Sequence, residues 1–180
     1  MTEQVEDSLD YLRDTADFHG LTHICSTVTE NADFMEWPAS VTKHHIYEGG
    51  LVVHTAEVLK GALLLASGSR SADLETIVAA AIFHDFMKIR DYERVPGTLL
   101  FQGAPYREGI RHVVGSHAAW VRAAELRCRE RAPKWVDAVS HCILAHHGRI
   151  EWGSPVEPQT IEAQILHFAD MMSARYGEGK

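Results

Sequence analysis

Between Ile77 and Phe83 the chain reads Ile-Val-Ala-Ala-Ala-Ile-Phe, and His84 and Asp85 follow at once. A helix built on this run, bounded by Asp73 and about Arg90, has almost no polar face, so neighbouring elements must cover it on most sides. An ionised carboxylate at the end of such a helix is costly to bury unless it is paired or bound to a metal. Asp85 therefore needs a partner, and so does Asp170, which stands inside the apolar stretch Leu-His-Phe-Ala-Asp-Met-Met.

The remaining segments read as helices, because few of them alternate apolar and polar residues between turn signals. An acidic helix runs from Val5 to Phe18 and ends at Gly20, and a short second one spans Thr22 to Asn31. Both are expected on the outside of the bundle. Trp37 and Pro38 open a loop to Gly49 and Gly50, after which Leu51, His54, Val58, Ala62 and Leu65 share one helical face. Val95 to Tyr106 holds two glycines and two prolines and reads as a loop able to cover a site. Ile110, Val113, Val114, His117, Val121 and Ala124 then form a stripe that turns His117 inward. Pro133 suits the first turn of the next helix, on which Trp135, Val139, Cys142 and His146 share a face before Gly148. The last helix, about Gln159 to Tyr176, carries Ile161, Ile165, Phe168 and Met172 as its apolar stripe. The expected fold class is all-α, a single helical bundle with its site between core helices.

A chain of 180 residues can bury one sizeable core without disulfides. Cys25, Cys128 and Cys142 suggest neither a disulfide framework nor a CxxC zinc site, which fits a reducing compartment. With no basic start leading into an apolar stretch and no apolar run long enough to span a bilayer, the expected location is cytoplasmic, away from membranes. The formal net charge of -8 opposes non-specific attraction to a phosphate backbone, so a long nucleic-acid partner would need a local basic patch. The 12 histidines are many for this length, and they cluster beside apolar segments.

His54, His84, Asp85 and Asp170 supply two imidazoles and two carboxylates, a nitrogen and oxygen set suited to Mn, Fe, Co, Ni or Zn. His146 and His147 compete for an inward place, since adjacent helical residues point about 100° apart; the stripe through Cys142 favours His146. Lys88 follows Asp85 by one turn and is placed to meet a bound phosphate. His44, His45 and Arg149 stand in loops near these residues, as substrate-binding candidates or proton donors to a leaving group, and His147 is a further substrate-binding candidate. Trp152 and Tyr47 could stack on a nucleobase, although packing is the simpler role for Trp152.

The order His54, then the adjacent pair His84-Asp85, then Asp170 on successive helices resembles the HD-domain superfamily, whose members are mostly metal-dependent phosphohydrolases. His117 and His146, between the pair and the last aspartate, resemble the six-ligand version of that pattern, in which Asp85 would bridge two metals. The closer likeness is to the HD domain of YhaM-type 3′-5′ exonucleases, through HHIYEGGLVVHTAEV, AAIFHDFMKI and ILAHHGRIEWGSPVEP followed by ILHFAD. The resemblance runs from about Trp37 to Arg175. It implies an HD domain over 37–176, with one or two divalent ions held by His54, His84, Asp85, His117, His146 and Asp170; the residues outside it read as a helical segment over 1–36 packed on the core and a short tail over 177–180. Asp85 and Lys88 are the expected catalytic residues.

Met87 stands where the pattern often has glycine, and no OB-type nucleic-acid domain precedes the HD segment. The leading expectation is therefore hydrolysis of a small nucleotide, a nucleoside triphosphate or monophosphate, with a dNTP triphosphohydrolase as one form. The alternatives are a 3′-5′ exonuclease on single-stranded RNA or DNA, a mixed-valent di-iron oxygenase, and a nucleotide-binding module without catalysis. Nucleic acid is a possible but not favoured partner, and self-association into a homo-oligomer is possible.

Overall fold

The computed structural model describes residues 1–127 and 131–176; Cys128 and the tail at 177–180 lie outside the described residues. Helices dominate: α1 (Glu3–Phe18), α2 (Thr22–Thr29), α3 (Ala32–Glu36), α4 (Gly50–Ala66), α5 (Leu74–Phe83), α6 (Lys88–Asp91), α7 (Pro105–Gly109), α8 (Arg111–Arg127), α9 (Pro133–Ala145) and α10 (Ile161–Tyr176). The expected all-α bundle is thus observed. Among the described residues the strand content is a two-stranded antiparallel hairpin, β1 (Tyr92–Arg94) with β2 (Phe101–Gly103), whose second strand lies in the segment expected to be a loop. Its connection turns at Gly97, whose φ of 76° favours glycine.

Helices α4 and α5 form the centre. α4 packs on α10, α5 and α1, and α5 packs also on α9. Every residue of α5 from Thr76 to Phe83 is buried, as its unbroken apolar run requires. Its start is fixed by Asp73, whose side chain accepts from the Glu75 N–H and from the Thr76 hydroxyl. Val5, Leu9, Leu12 and Ala16 of α1 belong to the same buried cluster as Leu51 and Val58 of α4, while the acidic residues of α1 face solvent. Asn31 caps α3 by accepting from the Phe34 N–H at 2.9 Å.

Small residues bring two helices close to the centre. On α10 the buried residues are Ala163, Ile165, Leu166, Ala169 and Ser173, and a Cβ on Gly61 of α4 would meet Ala169 at 3.5 Å. Of the expected stripe Ile165 is buried, whereas Ile161, Phe168 and Met172 face outward. On α8 the buried face is Val113, Ser116, Trp120, Ala123 and Ala124; Trp120 meets Phe83 and Trp135 edge-on, both at 5.3 Å. Ile110, Val114 and His117 do not point into the core. The physical reason is shared: the closest helix contacts are made by alanine, glycine and serine, which leave the bulkier apolar residues on the flanks.

Candidate metal centre and its cleft

The helical path of α5 tightens at its end. His84 still donates its backbone N–H to Ala80, but Phe86 bonds back to Phe83 and Lys88 to Asp85, so 84–87 form turns before α6. This throws His84 and Asp85 to the inner side of the bundle, facing His54 on α4 and Asp170 on α10. The Nε2 of His54 lies 3.2 Å from both Asp85 Oδ2 and Asp170 Oδ1, and that of His84 lies 3.4 Å and 3.9 Å from the same two oxygens.

The far nitrogens settle the tautomers. His84 Nδ1 donates to the carbonyl of Ala81 at 2.7 Å. Ser173 donates its hydroxyl to Glu57 and so accepts from His54 Nδ1 at 2.8 Å. In neutral rings each Nε2 therefore carries a lone pair aimed at carboxylate oxygens.

A second group adjoins the other oxygen of Asp85. His146 Nε2 stands 3.5 Å and His112 Nε2 3.3 Å from Asp85 Oδ1, and His147 Nε2 stands 3.2 Å from His112 Nε2. Here too the Nδ1 protons point away: His146 to the Ile143 carbonyl at 2.7 Å, His147 to the Trp152 carbonyl at 3.1 Å, and His112 to Asp91 Oδ2 at 2.6 Å. Both His146 and His147 thus reach the site, one on each side of the helix end. His117 does not. It is half-buried among Ala118, Val121 and Arg122, and His112 stands in the place expected for it. Helix α8 docks through Gly115 and Ser116, the Ser116 hydroxyl accepting from the Met87 N–H at 3.0 Å, which rotates the predicted stripe by about one residue, roughly 100°.

Lone pairs and carboxylates facing each other at these distances repel unless a cation or a proton lies between them. The Nε2 atoms of His54, His84 and His146 and the Oδ1 of Asp85 have no hydrogen-bond partner although fully buried. Ligands held about 2.1 Å from a divalent ion are roughly 3.0–3.5 Å apart, the spacing seen here. Two of the donor groups among the described residues meet at Asp85: His54, His84, Asp85 and Asp170 on one side and His112, His146 and His147 on the other, with the Asp85 carboxylate between them.

The HD-domain family profile matches residues 51–175. The chain belongs to the HD-domain family. Family membership and this donor set agree on a divalent-metal cofactor, and family membership makes the chain an HD-type hydrolase of phosphoester bonds. Among curated proteins, this HD domain is 31% identical over 144 residues to the 3′-5′ exoribonuclease YhaM of Bacillus velezensis, and equally so to that of Bacillus subtilis. It is 30% identical over 143 residues to that of Bacillus licheniformis. The matches cover about 80% of this chain but 44% of each relative, so the chain spans less than half the length of the curated relatives it matches. No solved structure matches the chain significantly. No described helix is long and apolar enough to cross a membrane.

His112, His147 and Asp170 of the donor groups line an open cleft of about 640 Å³, and the other donors are buried. Its walls carry Lys43, Lys88, Arg107, Arg111 and Arg175 against Asp91, Glu108 and Asp170, a cationic excess in a chain of net charge -8. Sequence reasoning missed Arg107, Arg111 and Arg175, which lie far apart along the chain. Arg111 adopts φ 63°, a left-handed conformation uncommon for a side-chain-bearing residue, directly before His112.

Lys88 is buried with its Nζ 2.6 Å from Asp85 Oδ2. Burial acts to lower its pKa, but Asp85 and Asp170 outweigh this and hold it above the ordinary value. Burial alone would raise the Asp85 carboxyl; Lys88, His84 and His112 hold it well below the usual range. His44 lines the cleft, and burial together with His54 pushes it down to about 3. His147 is likewise pushed down to about 3 by burial and by His146 and His112. One expectation is corrected. His45 has no exposure; its ring lies behind His44, with Nε2 3.3 Å from Glu57, so it cannot touch substrate in the cleft. Arg149 lies outside the metal cleft, in a neighbouring groove beside Trp152.

Proposed function

We propose that this HD domain is a divalent-metal-dependent phosphodiesterase that removes nucleotides from the 3′ end of single-stranded RNA. The observation that carries the reading is the set of cations lining an open cleft above the metal donors. It supplies the local basic patch that a polyanion needs on an acidic chain. The names of the three exoribonuclease relatives support the same choice over a small nucleotide.

Bound divalent ions would supply an activated water and neutralise charge on the phosphoryl oxygens. The rest falls to the chain. Asp85 presents one oxygen to each group of histidines, and Lys88 keeps that carboxylate ionised. Lys88 remains protonated, so it acts as a fixed cation near the phosphate rather than as a proton donor. Burial and His54 push the His44 imidazole down to about 3, so in this reading it accepts a hydrogen bond rather than delivering a proton. Hydrolysis adds water across the last phosphodiester: oxygen bonds to phosphorus, the bond to the 3′ oxygen breaks, and the departing oxygen takes its proton from solvent in the open cleft.

The same cations would meet a triphosphate, so small nucleotides are the competing substrates. The test is a panel with Mn in which a single-stranded oligoribonucleotide is set against nucleoside mono- and triphosphates. Nucleoside 5′-monophosphate release from the oligonucleotide, with the small nucleotides spared, is the expected result. Release of phosphate, pyrophosphate or triphosphate from small nucleotides alone would favour nucleotide hydrolysis instead.

A further inference from the structure

Trp152 is 48% exposed although its loop is tightly built. Its carbonyl accepts from the metal-side His147 at 3.1 Å, and Ser154 two residues on donates to the carbonyls of Leu144 and Val156. The loop opens at Gly148, with φ 82°, where any Cβ would collide with the ring of His167. His167 in turn donates to the carbonyl of His146 at 2.7 Å. The loop backbone that carries the indole is thus tied to the metal centre, while much of the indole surface faces water. Packing therefore does not account for it.

Trp152 lines the metal cleft and also the groove that continues from it over Arg149, His167 and Phe168. His167 lies 6.2 Å from the indole at an interplanar angle of 34°, and the exposed Arg149 guanidinium stands 4.9 Å over the indole ring. An exposed aromatic face with an arginine beside it, continuous with a cationic cleft, is what a single strand needs: a platform for a base and a cation for the next phosphate. An exposed cation–π contact is weak and gives way to a stacked base.

We infer that Trp152 and Arg149 form a nucleobase-stacking subsite for single-stranded nucleic acid, one that holds a nucleotide outside the metal cleft and sets its register. The inference rests on the phosphodiesterase reading and adds where the strand runs. Base identity is not read there, because every base offers a π face.

The test uses an eight-residue oligouridylate, and the same oligomer with one abasic residue at successive positions from its 3′ end. For Trp152→Ala, KM on the full oligomer rises about tenfold, within the roughly 5- to 150-fold that one base–aromatic stack is worth, while kcat holds. Wild type loses a similar factor when one particular position is abasic, and Trp152→Ala loses nothing further there. Trp152→Phe restores most of the affinity, which a mere folding defect in Trp152→Ala would not explain. Equal KM for wild type and Trp152→Ala, or the same abasic penalty in both, overturns the subsite while leaving the phosphodiesterase standing. A change in sedimentation coefficient without a change in KM overturns it in favour of a contact between copies. A wild type inert on the oligomer removes the underlying reading itself.

Discussion

Replacing His112 by alanine, with His117→Ala as its partner experiment, separates the two histidines of α8. The His112 ring presents Nε2 3.3 Å from Asp85 Oδ1 and donates Nδ1–H to Asp91 Oδ2 at 2.6 Å. Its loss removes one of three imidazoles from the second metal group and strips a donor from the Asp91 carboxylate. A charge-assisted hydrogen bond contributes about 1.5–3 kcal/mol, which for a chain of this size lowers Tm by roughly 3–12 °C without metal. Metal affinity should fall further. Residues that merely orient a ligand cost about 10- to 100-fold, and losing a donor costs no less. His117→Ala removes a half-buried ring from a shallow outer surface and should change stability by about 0.5 kcal/mol, with no effect on metal. Elemental analysis after dialysis against Mn, with thermal unfolding of both variants, reads the outcome. Metal lost from His117→Ala and retained by His112→Ala would refute the placement of α8.

Further outcomes follow from the same geometry. Ser173→Ala breaks the chain from His54 through the hydroxyl to Glu57 and should weaken Mn binding about 10- to 100-fold by titration, with helicity unchanged. Burial acts to raise the Asp85 and Asp170 carboxyls, but Lys88 for the first and His54 for the second hold them below the usual range. Their stabilisation of the metal-free fold is therefore complete above the ordinary carboxylate pKa of about 4 and drains as pH falls below it. Urea midpoints of wild type should drop over that window more steeply than those of Asp170→Asn; parallel curves would contradict the assignment. Arg111→Ala should weaken oligonucleotide binding regardless of sequence and flatten the log–log salt slope by about 0.7, the value for one phosphate contact on a single strand.

Much of the centre was legible because burying a polar residue leaves a sequence signature. His54, His84, Asp85 and Asp170 each interrupt an apolar helical run, and the structure brings all four together. His112 left no such mark. It stands in the first turn of α8, beside Ile110 and Val114, whose exposures of 53% and 43% contradict their apolar character. The same confusion affected α10, where Phe168 and Met172 are 54% and 53% exposed and Ala163 and Ala169 are buried. A stripe read by bulk fails wherever small residues make the close contact. The cations of the cleft were invisible for another reason: Lys43, Arg107, Arg111 and Arg175 converge only in the fold, while net charge sums over the whole surface.

The most direct test of the phosphodiesterase reading is a time course on a 5′-labelled single-stranded oligoribonucleotide with Mn, run for wild type, wild type with EDTA, and Asp85→Ala. A ladder shortening stepwise from the 3′ end, abolished by EDTA and by the substitution, is the predicted result. An intact oligonucleotide in a preparation that holds its metal would contradict it.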